Sequence, residues 1–114
     1  MPIKVINEKI SLQELQQIAT ESFGELVKAV VDIEKGIMAI GGELHSDEES
    51  VLLETDSLQE NLWGINLYPK ETKENWIEFD SIINIRPLQG NRSRNVENPK
   101  IKEKIIRIVN TLVE

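Results

Sequence analysis

The sequence predicts an α+β domain in the order β-α-β-β-α-β-β-α. Three observations carry this. Two stretches have helical apolar spacing behind recognisable N-caps, four have two-residue alternation, and the alternating stretches follow one another through links too short for parallel crossovers. The expected architecture is a mostly antiparallel sheet with helices packed on one face. At 114 residues the chain fits a single domain, residues 1–114, long enough to bury one core without staples.

Lys4-Val5-Ile6 is a short first strand. Ser11-Leu12-Gln13-Glu14 is a capping box, in which the Ser11 hydroxyl accepts the Glu14 amide and Glu14 reaches back. Leu12, Leu15, Ile18, Ala19 and Phe23 then recur at helical spacing, and Gly24 stands where a left-handed C-terminal cap belongs, which predicts a helix over 12–23. From Glu25 to Glu34 the period changes to two. Lys35-Gly36 is a tight turn into Ile37-Met38-Ala39-Ile40, making a hairpin.

Ser46-Asp47-Glu48-Glu49 is a second capping box, opening a short helix that ends near Thr55. Trp63, Ile65 and Leu67 alternate with Leu62, Gly64, Asn66 and Tyr68 in a strand stopped by Pro69. A longer alternation runs from Trp76 to Arg86, with Ile77, Phe79, Ser81, Ile83 and Ile85 facing the core. Asn98-Pro99 begins the last helix, with Ile101, Ile105, Ile108, Val109 and Leu112 on its apolar stripe.

The charge is unevenly distributed. Net charge is −7, yet three of the four arginines fall in Ile85-Arg86-Pro87-Leu88-Gln89-Gly90-Asn91-Arg92-Ser93-Arg94, and the acid-free window from Ser81 to Val96 carries +3 against −10 elsewhere. From Gly36 to Pro69 there are seven acids and no Lys or Arg. This balance argues against general nucleic-acid binding, which draws on cations that displace phosphate counterions. The absence of cysteine excludes disulfides, thiolate metal sites and a cysteine nucleophile. No apolar run is long enough to span a bilayer and no signal core follows Met1, so the expectation is a cytoplasmic domain without a membrane partner.

The arginine loop is the first site candidate. Arg92 and Arg94 offer guanidinium forks suited to phosphate or carboxylate. Gly90 and Asn91 permit a positive φ that lets backbone amides converge on an anion. Internal pairing with Glu78, Asp80 or the acidic helix is the structural alternative. A second candidate adjoins it. If residues 69–75 close a hairpin, Asn66 lies opposite Glu78 and Tyr68 opposite about Trp76, so Asn66, Tyr68, Glu78, Asp80, Asn84 and Arg86 share one sheet face. The structural alternative here is a solvated outer face.

Glu78 and Asp80, two apart, have the vocabulary of a divalent-metal site or an acid–base pair. A restriction-type nuclease would place Lys two residues after the second acid, where Ile82 stands. Glu43, His45 and Asp47 supply metal-ligating types without diagnostic spacing, and Asp47 is better explained as a helix first-turn residue. His45, the only histidine, is expected as a surface or hydrogen-bonded residue near a helix start. No metal ligand and no cofactor are therefore assigned. Trp63 is expected in the core and Trp76 on the opposite face.

Gly42-Glu43-Leu44-His45 through Leu62-Trp63-Gly64-Ile65-Asn66-Leu67-Tyr68-Pro69 resembles an uncharacterised family of small prokaryotic proteins, a domain of unknown function. So do Trp76-Ile77-Glu78-Phe79-Asp80-Ser81, Ile85-Arg86-Pro87 and Gly90-Asn91-Arg92-Ser93-Arg94. The resemblance runs nearly end to end; it implies family membership and transfers no activity or catalytic residue.

The function expected from the residues is a binding module for a small anionic, phosphorylated ligand. Its ligand-binding residues are Arg86, Asn91, Arg92 and Arg94, with Asn66, Tyr68, Glu78, Asp80 and Asn84. The first alternative is a protein-interaction or homo-oligomeric module joining the basic loop to the acidic segment. The second is a metal-assisted hydrolase using Glu78 and Asp80.

Overall fold

The computed structural model describes residues 2–114. Its elements are β1 (Lys4–Ile6), α1 (Leu12–Glu21), β2 (Val27–Asp32), β3 (Ile37–Ile40), α2 (His45–Glu54), β4 (Leu62–Leu67), β5 (Ile77–Glu78) and α3 (Pro99–Leu112). The strands form one antiparallel sheet in the spatial order β1-β3-β2-β4-β5. Class and element order are those the sequence predicts.

The caps work as the residue types dictate. Ser11 Oγ accepts the Glu14 amide at 3.0 Å, Asn98 Oδ1 accepts the Lys100 amide at 2.9 Å, and Pro99 opens α3 where its missing N–H is not needed. Gly24, at φ +93°, closes the chain after α1 through its amide to the Ala19 carbonyl. Asp32 is buried at the β2–β3 turn. One of its oxygens accepts the amides of Glu34 and Lys35; the other accepts the Ser57 hydroxyl at 2.6 Å, tying the hairpin to the segment before β4.

The main core lies on the sheet face carrying Val27, Ala29, Val31, Met38, Ile40, Trp63, Ile65 and Leu67. Leu15, Ile18 and Ala19 of α1 and Ile105, Val109 and Leu112 of α3 pack there. Here the expected one-face arrangement gains a second layer. Helix α2 lies across the other face, where Leu52 packs on Val30, Ala39 and Leu62, with Ile83 beside them. Strand β2 explains why, because Val30 on one face is as buried as Ala29 and Val31 on the other. A strand apolar on both faces needs cover on both.

The long alternation from Trp76 to Arg86 is not one strand. Pairing stops after Glu78, and the chain turns through two 3-10 segments, Ile82–Asn84 and Pro87–Gln89. Asn84 takes the missing strand's place. Its Oδ1 accepts the Gly64 amide at 2.8 Å, and its Nδ2 donates to the Gly64 carbonyl at 2.9 Å and the Arg94 carbonyl at 3.0 Å. Gly64 permits this approach, since a Cβ there would lie 2.6 Å from the Ser81 Cβ. Trp76 also departs from expectation. It shares the main core with Trp63, because it precedes the paired residues of β5 and strand alternation does not dictate its side. No helix among the described residues is long and apolar enough to cross a membrane.

Candidate functional site

Helix α2 covers only part of its sheet face. Beyond its N-terminus the floor is open, and the antiparallel register places Lys28 of β2, Asn66 of β4 and Glu78 of β5 side by side across three strands. Asn66 lies opposite Glu78, as the hairpin reading requires. The cleft above this row has a volume of about 380 Å³. Lys28 and Asn66 line its floor, Leu44, His45 and Ser46 its α2 side, and Ile82, Ile83 and Arg94 the side built by the chain after β5.

Helix α2 starts earlier than the capping box suggests. Leu44, which has no side chain able to cap, occupies the N-cap position; its carbonyl accepts the amides of Asp47 and Glu48. Two tertiary contacts hold this start. His45 Nε2 is 2.8 Å from the Ile65 carbonyl, and Glu48 Oε2 accepts the Gly42 amide at 2.9 Å. With no side-chain cap from Leu44, the amides of His45 and Ser46 donate to no group among the described residues. They lie at the positive end of a ten-residue helix, on the cleft wall.

A carbonyl oxygen only accepts, so His45 Nε2 carries the proton in the neutral ring and Nδ1 keeps its lone pair. Burial lowers the imidazole pKa below its ordinary value and Lys28 adds to this; the Ile65 carbonyl, Asn66 and Asp80 oppose it. Glu48 is fully buried, and burial pushes its carboxyl up to about 9, so at neutral pH this first-turn residue is uncharged.

The polar cluster expected on β4 and β5 is present. Asn66 Nδ2 donates to Glu78 Oε1 at 2.8 Å and to the Asp80 carbonyl at 3.2 Å, and the Tyr68 hydroxyl donates to Glu78 Oε1 at 3.2 Å. Burial first, then the Glu78 charge, raises the Tyr68 pKa and keeps the phenol a donor. Arg94 Nε meets Asp80 Oδ1 at 2.6 Å, while its Nη1 and Nη2 bond to nothing among the described residues. Both carboxylates thus have donors already. No group of three or more His, Cys, Asp or Glu side chains among the described residues is placed to hold a metal.

The arginine loop divides. Arg86 is half-buried. Its Nε donates to the Ile83 carbonyl at 3.0 Å, Nη1 to the Gln59 carbonyl at 2.7 Å and Nη2 to the Leu62 carbonyl, and the guanidinium stacks 4.5 Å from the Trp63 ring centroid. Asn91 is buried. It donates to the carbonyls of Asn84, Ser93 and Asn95 and accepts the Glu97 amide. Arg86, Asn84 and Asn91 therefore shape the loop from inside.

The amides of Arg92 and Ser93 do converge on an anion, and that anion is the chain's own. With the Ser93 hydroxyl they hold Glu97 Oε2 at 2.7–2.9 Å. The Ser93 hydroxyl first, then the two amides, draws the Glu97 pKa below the ordinary carboxylate value. The Arg92 side chain is exposed and makes no hydrogen bond among the described residues.

Of the residues expected from sequence, then, Asn66, Asp80 and Arg94 line the cleft, with Glu78 and Tyr68 bonded to its floor. Arg86, Asn84 and Asn91 stand behind it, and Arg92 points elsewhere among exposed groups. Lys28, His45 and Ser46 were not expected there. The signal for Lys28 was present, since it interrupts the apolar run from Val27 to Val31 on the parity shared with Asn66.

A family model described as a protein of unknown function (DUF5674) matches residues 4–112. No curated protein and no solved structure matches the chain.

Proposed function

We propose that this chain, which belongs to the DUF5674 family, is a binding module for a small anionic ligand, seated in the cleft at the N-terminus of α2. One observation carries the reading: His45 and Ser46, whose amides at the start of α2 donate to no group among the described residues, line the same cleft as Lys28 and as Arg94, whose Nη groups have no partner there. Unsatisfied amides and the helix dipole favour negative charge, and a guanidinium held by one carboxylate through Nε still offers a fork to phosphate. The neutral Glu48 removes one of the two first-turn carboxylates that would oppose an anion, Asp47 being the other. A cytosolic setting, where phosphorylated metabolites are abundant, belongs with this reading.

The test is a thermal-shift series with phosphate, pyrophosphate and nucleotides on wild type, Arg94→Ala, Lys28→Ala and Arg92→Ala. A ligand at a hundred times its dissociation constant stabilises the fold by about 2.7 kcal/mol. The expected result is a shift diminished in Arg94→Ala and Lys28→Ala and retained in Arg92→Ala. No shift with any anion, or a shift unchanged in all three variants, would overturn it.

A second reading, an interaction module, draws on Leu58, Ile85 and the fully exposed Leu88. They lie in segments stitched together by Arg86 to Gln59 and by Gln89 to Glu60. Light scattering of wild type and Leu88→Asp checks it; a concentration-independent monomer in both would leave no role for self-association.

A further inference from the structure

Leu88 stands fully in solvent on a turn that is held in place. The Arg86 amide donates to the Asn91 carbonyl at 2.7 Å and the Asn91 amide to the Arg86 carbonyl at 3.1 Å, which closes residues 87–90 into a loop. Gly90 ends the loop at φ +77°, its amide donating to the Pro87 carbonyl. Arg86 and Gln89 then fasten the turn to the segment before β4, through the carbonyls of Gln59, Leu62 and Glu60. Leu58 and Ile85 are the chain neighbours of the bonded Gln59 and Arg86, so the stitch gathers Leu58, Ile85 and Leu88 onto one short stretch of surface. All three are exposed. A contact that covers large apolar side chains on a fixed turn gains their burial without first having to order a loop.

The borders of this stretch carry opposite charge. Where the turn meets the segment before β4 stand Glu54, Asp56 and Glu60. The other border is the groove in which Gln89 and Gly90 meet Pro99 and Ile101 at the start of α3, and there the charges are Arg92 and Lys100. All five are exposed, and none forms an ion pair among the described residues. Glu97, the acid at the basic border, is already held by the amides of Arg92 and Ser93.

Such a surface is complementary to itself. In a two-fold contact the same patch on both copies comes together, so apolar side chains meet apolar side chains. With the axis running between the charged borders, acids face bases on both sides. A uniformly acidic or basic partner would meet one border with like charge.

We infer that the chain forms a two-fold homodimer through Leu58, Ile85 and Leu88, with Glu54, Asp56 and Glu60 set against Arg92 and Lys100 of the partner subunit. This rests on the interaction-module reading and gives it a partner, a stoichiometry and a symmetry. None of these residues lines the cleft at α2, so the anion-binding reading is independent of it.

The experiment is sedimentation equilibrium over a protein concentration series for wild type, Leu88→Asp, Leu58→Ser, Glu60→Lys and Leu44→Ser. The expected wild-type mass rises to two copies and no further. The dimer dissociation constant should increase about tenfold or more in Leu88→Asp, and should increase also in Leu58→Ser. Glu60→Lys lowers the net negative charge, so bulk repulsion alone would favour its dimer; the expected result is a weaker one, because the new cation faces Arg92 and Lys100 of the partner subunit. Leu44, 55% exposed against 59% for Leu58, lines the α2 cleft instead, and Leu44→Ser should match wild type.

A monomer at every concentration would overturn the dimer and self-association altogether. Growth past two copies, a dimer untouched by Leu88→Asp and Leu58→Ser, a Glu60→Lys dimer as tight as wild type or tighter, or an equal loss in Leu44→Ser would overturn this surface and leave self-association standing. Leu88 lies wholly in solvent, so its variant keeps the fold.

Discussion

Glu48→Gln offers the sharpest test of the electrostatics at the α2 N-terminus. Glu48 is fully buried; Oε2 accepts the Gly42 amide, and Oε1 has no partner among the described residues. Burial raises its pKa from 4.5 in the unfolded chain to about 9 in the folded one; the Gly42 amide and Lys28 pull it down, and Asp47 pushes it up. Between those values the folded protein holds one proton more than the unfolded chain. The resulting stabilisation is complete below the unfolded value and is lost as pH rises toward the folded one.

For one proton the slope is about 1.4 kcal/mol per pH unit. The comparison of the two proteins between pH 7 and 8.5 isolates the effect, because the remaining titration of His45 in the unfolded chain is common to both. Wild type should therefore lose about 2 kcal/mol of unfolding free energy across the window. Glu48→Gln, similar in shape and never charged, should lose almost none and be the more stable protein at pH 8.5. Urea unfolding followed by fluorescence of the buried Trp63 and Trp76 measures this at constant ionic strength. Parallel pH dependences in the two proteins would refute the reasoning and show Glu48 ionised in the fold. The consequence reaches function, since an ionised Glu48 would set a negative charge beside the proposed anion site.

Other perturbations address the remaining parts of the structure. Gly64→Ala forces a Cβ to within 2.6 Å of Ser81; overpacking of this kind costs about 1–3 kcal/mol, and a denaturant midpoint equal to wild type would contradict the close approach. Asn84→Ala strips partners from both backbone groups of Gly64. The expected loss is about 2–3 kcal/mol, with faster amide hydrogen exchange at Gly64 as its local signature. The His45 imidazole should titrate below the ordinary histidine value in an NMR pH series and move back toward it in Lys28→Met, because Lys28 is one cause of the depression. An ordinary midpoint in wild type would show that the ring is solvated rather than held at the Ile65 carbonyl.

The candidate site was only partly legible in the sequence. Asn66, Tyr68, Glu78 and Asp80 could be found because alternation and a hairpin place them on one face, and cross-strand register then brings Asn66 to Glu78. Arg94 stood out by charge. Lys28 was overlooked because a single Lys in a strand says nothing of its neighbour until the register of β2 against β4 is known. His45 is hydrogen-bonded near a helix start, one of the two placements its sequence position predicts, but its partner could not be read from the sequence because Ser46 resembles an N-cap. The helix begins before it, through His45 and Glu48, whose partners at Ile65 and Gly42 lie in the sheet and the preceding loop. The alternation from Trp76 to Arg86 misled for a related reason. Asn84 and Ser81 fold back onto Gly64, and a side chain that imitates a strand's hydrogen bonds leaves the two-residue period intact.

The sequence by itself determined the class, the element order, the hairpin, the caps of α1 and α3, and the contrast between a basic loop and an acidic body. These follow from local rules, in which a residue's neighbours along the chain decide its conformation. Tertiary structure alone decided that α2 crosses the second face of the sheet, and that Arg86, Asn84 and Asn91 turn inward while Arg94 reaches the cleft. It also decided that Glu97 fills the nest made by Arg92 and Ser93. The physical reason is that hydrogen-bond partners and burial are set by groups distant in sequence. A guanidinium twenty-seven residues from the carbonyl it caps carries no local mark of which way it will point.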